Sequence, residues 1–105
     1  MENNHEDRDS ILFVDLILSL SSMAVQLLGK TINPETGKIE RNITKAQATI
    51  DILAMLKTKT RGNLSKREQD MLDTTLSTLQ LNYFDELEIG KKQSADPDND
   101  ENVER

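Results

Sequence analysis

Apolar residues in this chain fall into three blocks with helical spacing, separated by turn-forming stretches. The first block, "ILFVDLILSLSSMAVQLL" at residues 11–28, carries Asp15, Ser19, Ser22 and Gln26 at i, i+4, i+7 and i+11. Successive helical residues are about 100° apart, so these four form one narrow polar stripe. Ser21 is the only other interruption in an apolar arc of about 250°, far wider than the ~100° stripe of an ordinary surface helix. Ser10 is a good N-cap and Gly29 or Lys30 a good stop, which predicts a helix over about 11–29.

Asn42 is the N-cap expected for a second helix, about 43–61, with Gly62 as the residue that ends it. That helix has two apolar faces: Ile43, Ala46, Ile50, Leu53 and Ala54 on one, and Ala48, Ile52, Met55 and Leu56 on the other. Ser65-Lys66-Arg67-Glu68 is an S-x-x-E capping box opening a third helix, about 66–89, which Gly90 ends. Its Leu72, Leu76, Leu79, Tyr83 and Leu87 form a single seam, the pattern of an ordinary amphipathic helix. Between the first two helices, Asn33-Pro34-Glu35-Thr36-Gly37 is turn chemistry, with Pro presetting φ and Gly supplying positive φ. The expected fold is all-α: a three-helix unit within residues 10–90, assembling into a homo-oligomeric helical bundle. The acidic stretches 1–9 and 91–105 read as disordered tails.

Composition narrows the chemistry. Aromatics are only 3% of the chain and Trp is absent, so the core is aliphatic. The net charge of -6 resides mainly in the two tails, an overall balance that repels phosphate backbones, so no nucleic acid is expected as partner. The absence of Cys removes disulfides, thiolate metal sites and Cys nucleophiles, and fits a cytoplasmic protein. The start "MENNHEDRDS" has no basic n-region, which argues against a secretory signal. No cofactor is expected. His5 stands alone in a polar start, the serines lack triad partners, and Pro34 to Lys38 lacks phosphate-loop spacing. Asp15 and Asp51 read as hydrated positions on polar strips, because nothing in the sequence makes them converge.

Two candidate surfaces remain. Leu12, Phe13, Leu16, Ile17, Leu20, Met23 and Leu27 of the first helix, with Ile52 and Met55 of the second, are the candidate oligomer interface. Three helices cannot cover so much apolar surface, and uncovered patches mark interfaces. Lys57, Lys59, Arg61, Lys66 and Arg67 form the only basic concentration, a candidate anion or acidic-peptide patch onto which the acidic tails could dock. The bland reading of that cluster is that cations and Gly62 serve the end of the second helix.

The stretch "PETGKIERNITKAQATIDILAMLKTKTRGNLSKREQDMLDTTLSTLQLNYFD" resembles a bacterial family known as domain of unknown function number eighteen forty-four. The carrying motifs are Pro34 to Lys38, Ile50 to Leu56 and Lys59 to Leu64, and the resemblance covers about residues 11–87. It implies a small all-helical bacterial protein and supplies no activity or site residues.

The expected function is that of a non-catalytic structural or interaction protein, an obligate homo-oligomer built on the first helix, most simply a two-fold dimer. The alternative is a binding module whose apolar first helix accepts a partner helix, lipid or a membrane surface. An 18-residue helix spans about 27 Å, enough for a bilayer core. Asp15, Gln26 and the lack of a flanking basic cluster disfavour insertion.

Overall fold

The computed structural model describes residues 4–94, with side-chain exposure for residues 5–90. They form three helices: α1 (Asn4–Leu27), α2 (Ile43–Lys59) and α3 (Lys66–Ser94). The outer parts of both acidic tails, residues 1–3 and 95–105, lie outside the described residues.

The helix ends follow local chemistry. Asn42 caps α2, its Oδ1 accepting from the Lys45 N–H at 3.0 Å. Ser65 and Glu68 form the reciprocal box at the start of α3: Ser65 Oγ accepts from Glu68 N–H at 3.1 Å, and Glu68 Oε1 accepts from Ser65 N–H at 2.8 Å. α1 closes in a Schellman motif, with Lys30 N–H donating to the Val25 carbonyl at 3.1 Å and Gly29 N–H to the Gln26 carbonyl at 3.0 Å. Gly29 sits at φ 84°. At the end of α2, Thr60 is the cap residue, and Gly62 takes positive φ two residues beyond it.

Two ends differ from the sequence expectation. α1 begins at Asn4, so residues 4–9 are helical, and Ser10 lies inside α1 rather than capping it. No helix breaker precedes Ser10, and Glu6 and Asp7 in the first turn suit the positive end of the helix dipole. α3 runs through Gly90 to Ser94. Gly90 is not among the glycines with positive φ, so it continues the helix where a cap was expected.

The core is one aliphatic cluster: Ile17 and Ala24 of α1, Ile50 and Leu53 of α2, and Leu72, Leu76 and Leu79 of α3. Phe13, Leu20, Val25, Met71 and Tyr83 pack around it. The α3 seam lies inward as its spacing predicts. Ala46 N–H to the Asn42 carbonyl (2.9 Å) starts α2, and Asn42 N–H to the Leu27 carbonyl (2.7 Å) ties that start to the end of α1. The two helices are therefore antiparallel neighbours. The buried Thr49 hydroxyl donates to the Lys45 carbonyl at 2.9 Å and leaves no unmet donor.

The α1–α2 connection is a braced hairpin turn. Asn33 and Lys38 form an antiparallel bridge, and the Asn33 carbonyl accepts from Gly37 N–H at 2.7 Å. Asn33 Oδ1 accepts from Glu35 N–H at 2.9 Å, an Asx turn. The base of this connection is fastened to α3 by Glu86, whose carboxylate meets Lys30 Nζ at 2.9 Å and Arg41 Nε at 3.0 Å. Arg41 Nη2 also donates to the Glu86 carbonyl at 3.1 Å.

Gly29 is held in two ways. A Cβ there would lie 3.2–3.3 Å from three carbons of Arg41, on a backbone with φ 84°. Gly62 has nearly the same φ (85°) but open space around it. Gly62→Ala is therefore expected to cost about 1–2 kcal/mol from backbone strain alone. Gly29→Ala should cost more, because it also displaces Arg41 from Glu86. Paired thermal melts check the difference, which reads about 4–8 °C in Tm per kcal/mol for a domain of this size.

Candidate interface on the first two helices

The outward surface of α1 is ordered by its phase relative to the core. Ile17, Ala24 and Leu28 are buried and mark the inward line. At 100° per residue, Asp15, Ser19, Ser22 and Gln26 fall about 180° from that line. The polar stripe read from the sequence is thus the outermost line of α1. Leu12, Leu16 and Met23 lie along one side of the stripe, and Ile11 and Leu18 along the other.

Neighbouring elements decide which side borders which helix. Ile11, Val14, Asp7, Ser10 and Asp15 line a shallow hollow with Arg67, Glu68 and Met71, so α3 flanks the Ile11 side. On α2, Gln47, Ile50 and Asp51 line a groove with Gln80, Tyr83 and Phe84, and Tyr83 Oη donates to Gln47 Oε1 at 3.0 Å. α3 therefore flanks that edge of α2, and Ile52 lies on the α1 side, with Ala48 and Met55 next to it on the outermost line of α2. Leu16 and Met23 of α1 and Ile52 of α2 border the same α1–α2 groove from either side.

The structure divides the nine candidate interface residues. Leu12, Leu16, Met23, Ile52 and Met55 are 43–53% exposed and share this face. Ile17 is fully buried in the chain's own core, which corrects its assignment to the interface. Phe13 and Leu20 pack mainly against the core, and Leu27 is half-buried, so these three form the floor of the face. Periodicity could not separate Leu16 from Ile17, because a 250° apolar arc contains both. The exposed Leu81 and Phe84 belong to α3, Phe84 lining its groove with α2.

The five basic candidates do not form one free cationic surface. Lys57 Nζ pairs with Asp73 at 3.1 Å, and Lys66 Nζ with Asp70 at 3.1 Å. The Lys57 ammonium holds the Asp73 carboxyl below its ordinary pKa, aided by Gln69. Arg67 lines an end hollow with Glu6, Asp7, Asp9 and Glu68. Lys59 and Arg61 are exposed and have no ion-pair partner among the described residues. The Ser65 backbone N–H, followed by the Ser10 hydroxyl, lowers the Glu68 pKa, so Ser10 serves the start of α3 from within α1. Asp15 and Asp51 border different grooves and do not converge.

The Lys30–Arg41–Glu86 cluster joins residues from three separate stretches of the chain. Its signal is present: Leu72, Leu76, Leu79, Tyr83 and Glu86 follow one inward spacing, which puts a carboxylate on an apolar seam. Such a position calls for cations from elsewhere in the chain.

The fold and this face define a small all-α protein of three helices with an uncovered two-helix apolar surface. The chain belongs to the family described as Domain of unknown function (DUF1844), whose family model matches residues 10–85. That span contains all five exposed residues of the face. No curated protein and no solved structure matches the chain significantly.

Proposed function

We propose that this protein is a non-catalytic, cytoplasmic assembly protein, an obligate homo-oligomer and most simply a two-fold dimer. The observation that carries the reading is the shared face of Leu12, Leu16, Met23, Ile52 and Met55, each 43–53% exposed across two adjacent helices. Scattered exposed leucines are ordinary, but a contiguous two-helix apolar face is the kind of surface that another surface covers. A second copy is the simplest cover, because an isologous contact needs no further gene product. Burying the face contributes roughly 25 cal/mol per Å² of apolar area, and the small core of one chain leaves stability dependent on that contribution. In sedimentation or light scattering, the full chain is expected to show twice its 11.9 kDa mass down to low micromolar concentration. A monomer would refute the assembly reading.

One observation favours a second reading. α1 is long and apolar enough to cross a membrane, and only 11% of its apolar window is buried within the chain. On that reading the same face receives a partner helix, lipid or a membrane surface. A monomer that binds apolar dye and floats with lipid vesicles would support it. The outermost stripe of Asp15, Ser19, Ser22 and Gln26 weighs against full insertion, since these groups would meet hydrocarbon unpaired.

A further inference from the structure

The accessible sulfur of this chain is concentrated on the α1–α2 face. The sequence holds 4 Met and no Cys, so thioethers are its only sulfur groups. Met1 lies outside the described residues. Met71 is half-buried and packs against the core. Met23 and Met55 are 49% and 45% exposed, and both belong to the face that a second copy is proposed to cover. Met23 shares its side of α1 with Leu16, and Met55 stands one turn from Ile52 on α2. Each thioether therefore sits among aliphatic side chains, open to small solutes whenever the face is uncovered.

Methionine is the apolar side chain that an oxidant makes polar and a reductase makes apolar again. Hydrogen peroxide transfers one oxygen to the thioether. The peroxide O–O bond breaks, an S–O bond forms, sulfur gives up two electrons, and the other peroxide oxygen leaves as water. The product carries a strong hydrogen-bond acceptor. On a free chain that oxygen faces water and costs the fold little. Against an apolar partner surface it loses its water with no donor to replace it.

We propose that Met23 and Met55 form a two-residue oxidation site that sets whether the α1–α2 face can be covered. This rests on the assembly proposed above and adds its regulation. A protomer oxidised before pairing, or during a transient dissociation, carries a sulfoxide on each helix of the face and no longer pairs. In a two-fold contact each copy brings both positions, so every oxidation event is felt twice. The change is reversible. A methionine sulfoxide reductase supplied with a dithiol returns the thioether, the dithiol becoming a disulfide and the oxygen leaving as water. Leucine at the same positions gives a contact of similar volume and no such chemistry.

Hydrogen peroxide applied to the full chain across a dilution series tests the site. Peptide mass mapping should find oxygen on Met23 and Met55 before Met71, and faster as dilution uncovers the face. In sedimentation the doubly oxidised chain should show the single-chain mass, with dimerisation weakened about tenfold or more for each oxidised position. Treatment with the two reductases, one for each sulfoxide epimer, should restore the parent mass. The double variant Met23→Leu with Met55→Leu should stay dimeric through the same peroxide treatment, and Met71→Leu should respond as the parent does. Together these variants separate loss of pairing from damage to the core. A dimeric chain that keeps its mass with both positions oxidised, or a leucine double variant that dissociates in peroxide, would overturn the proposal and leave the assembly reading standing. Oxidation of Met71 as fast as Met23 and Met55 would overturn it too. A chain already monomeric before treatment would overturn the assembly reading itself.

Discussion

Ile17→Asp is expected to abolish the fold directly, and Leu16→Asp, one residue away, to abolish the assembly and to weaken the fold only through that loss. Ile17 is 0% exposed and lies among Ile50, Leu53, Leu72, Leu76 and Leu79. Replacing it removes a large aliphatic side chain, which alone costs about 2–5 kcal/mol. It also places a carboxylate where no cation can reach, which costs several kcal/mol more or forces the group to protonate. The total exceeds the 5 kcal/mol at the low end of single-domain stability, so the variant should lose its helical circular dichroism at any protein concentration.

Leu16 is 44% exposed, and aspartate there remains in contact with water in a single chain. A surface change of this kind moves intrinsic stability by roughly 0.5 kcal/mol. In an assembled pair the same carboxylate would sit at the centre of a dry apolar contact. Leu16→Asp should therefore sediment as a monomer and lose helix and melting temperature by the contribution of the lost contact, well beyond the intrinsic cost of the substitution. Retention of the parent mass would mean that the α1–α2 face is not the contact. Leu20→Asp would be a poor substitute, because Leu20 packs against the core and its loss would mix folding with assembly.

The contrast between positions 16 and 17 marks where the sequence stops being sufficient. Helix identities and most ends are local: an Asn before an apolar run, an S-x-x-E box and a Gly after the last apolar residue each act within a single turn. They place α2, the start of α3 and the end of α1. α1 starts before Ser10 because a good cap residue has no effect where the preceding "NHEDRD" can itself be helical. The side chain is instead used across the bundle, near Glu68. Gly90 shows the opposite case, a potential stop that the helix passes through. A glycine costs a helix only about 1 kcal/mol, which a long helix tolerates when nothing else ends it. The division of the apolar collar into core and face depends on where α2 and α3 sit, and no property of α1 alone contains that information.

The largest effect outside the apolar core should come from Glu86→Gln, for the same non-local reason. Its carboxylate joins two cations that are 45 and 56 positions away and fastens the α1–α2 connection to α3. The Lys30 ammonium, then the Arg41 guanidinium, holds the Glu86 carboxyl below its ordinary pKa, against the opposing effect of burial. Glutamine keeps the size but removes the charge, leaving two cations close together without a counterion. Breaking a fully buried pair costs about 3–5 kcal/mol, and here solvent screening reduces that to about 1–2 kcal/mol. The discount is warranted because the Lys30 and Arg41 side chains are 37% and 42% exposed. The pH dependence has a defined sign. A carboxylate whose folded pKa is depressed adds stability above its unfolded value, near 4.3, and loses it as pH falls through the lower folded value. The parent chain should thus lose the contribution of this cluster below about pH 4.5, while Glu86→Gln should show a shallower fall over the same range. Some slope remains in the variant, because Asp73 and Glu68 also have lowered pKa values and titrate in the same direction. Urea denaturation at a series of pH values gives both quantities. Parallel stability curves for parent and variant across that window would show that Glu86 is not held charged by Lys30 and Arg41. Curves that converge toward acid pH would assign to these three residues the fastening of the connection that sets α1 beside α2.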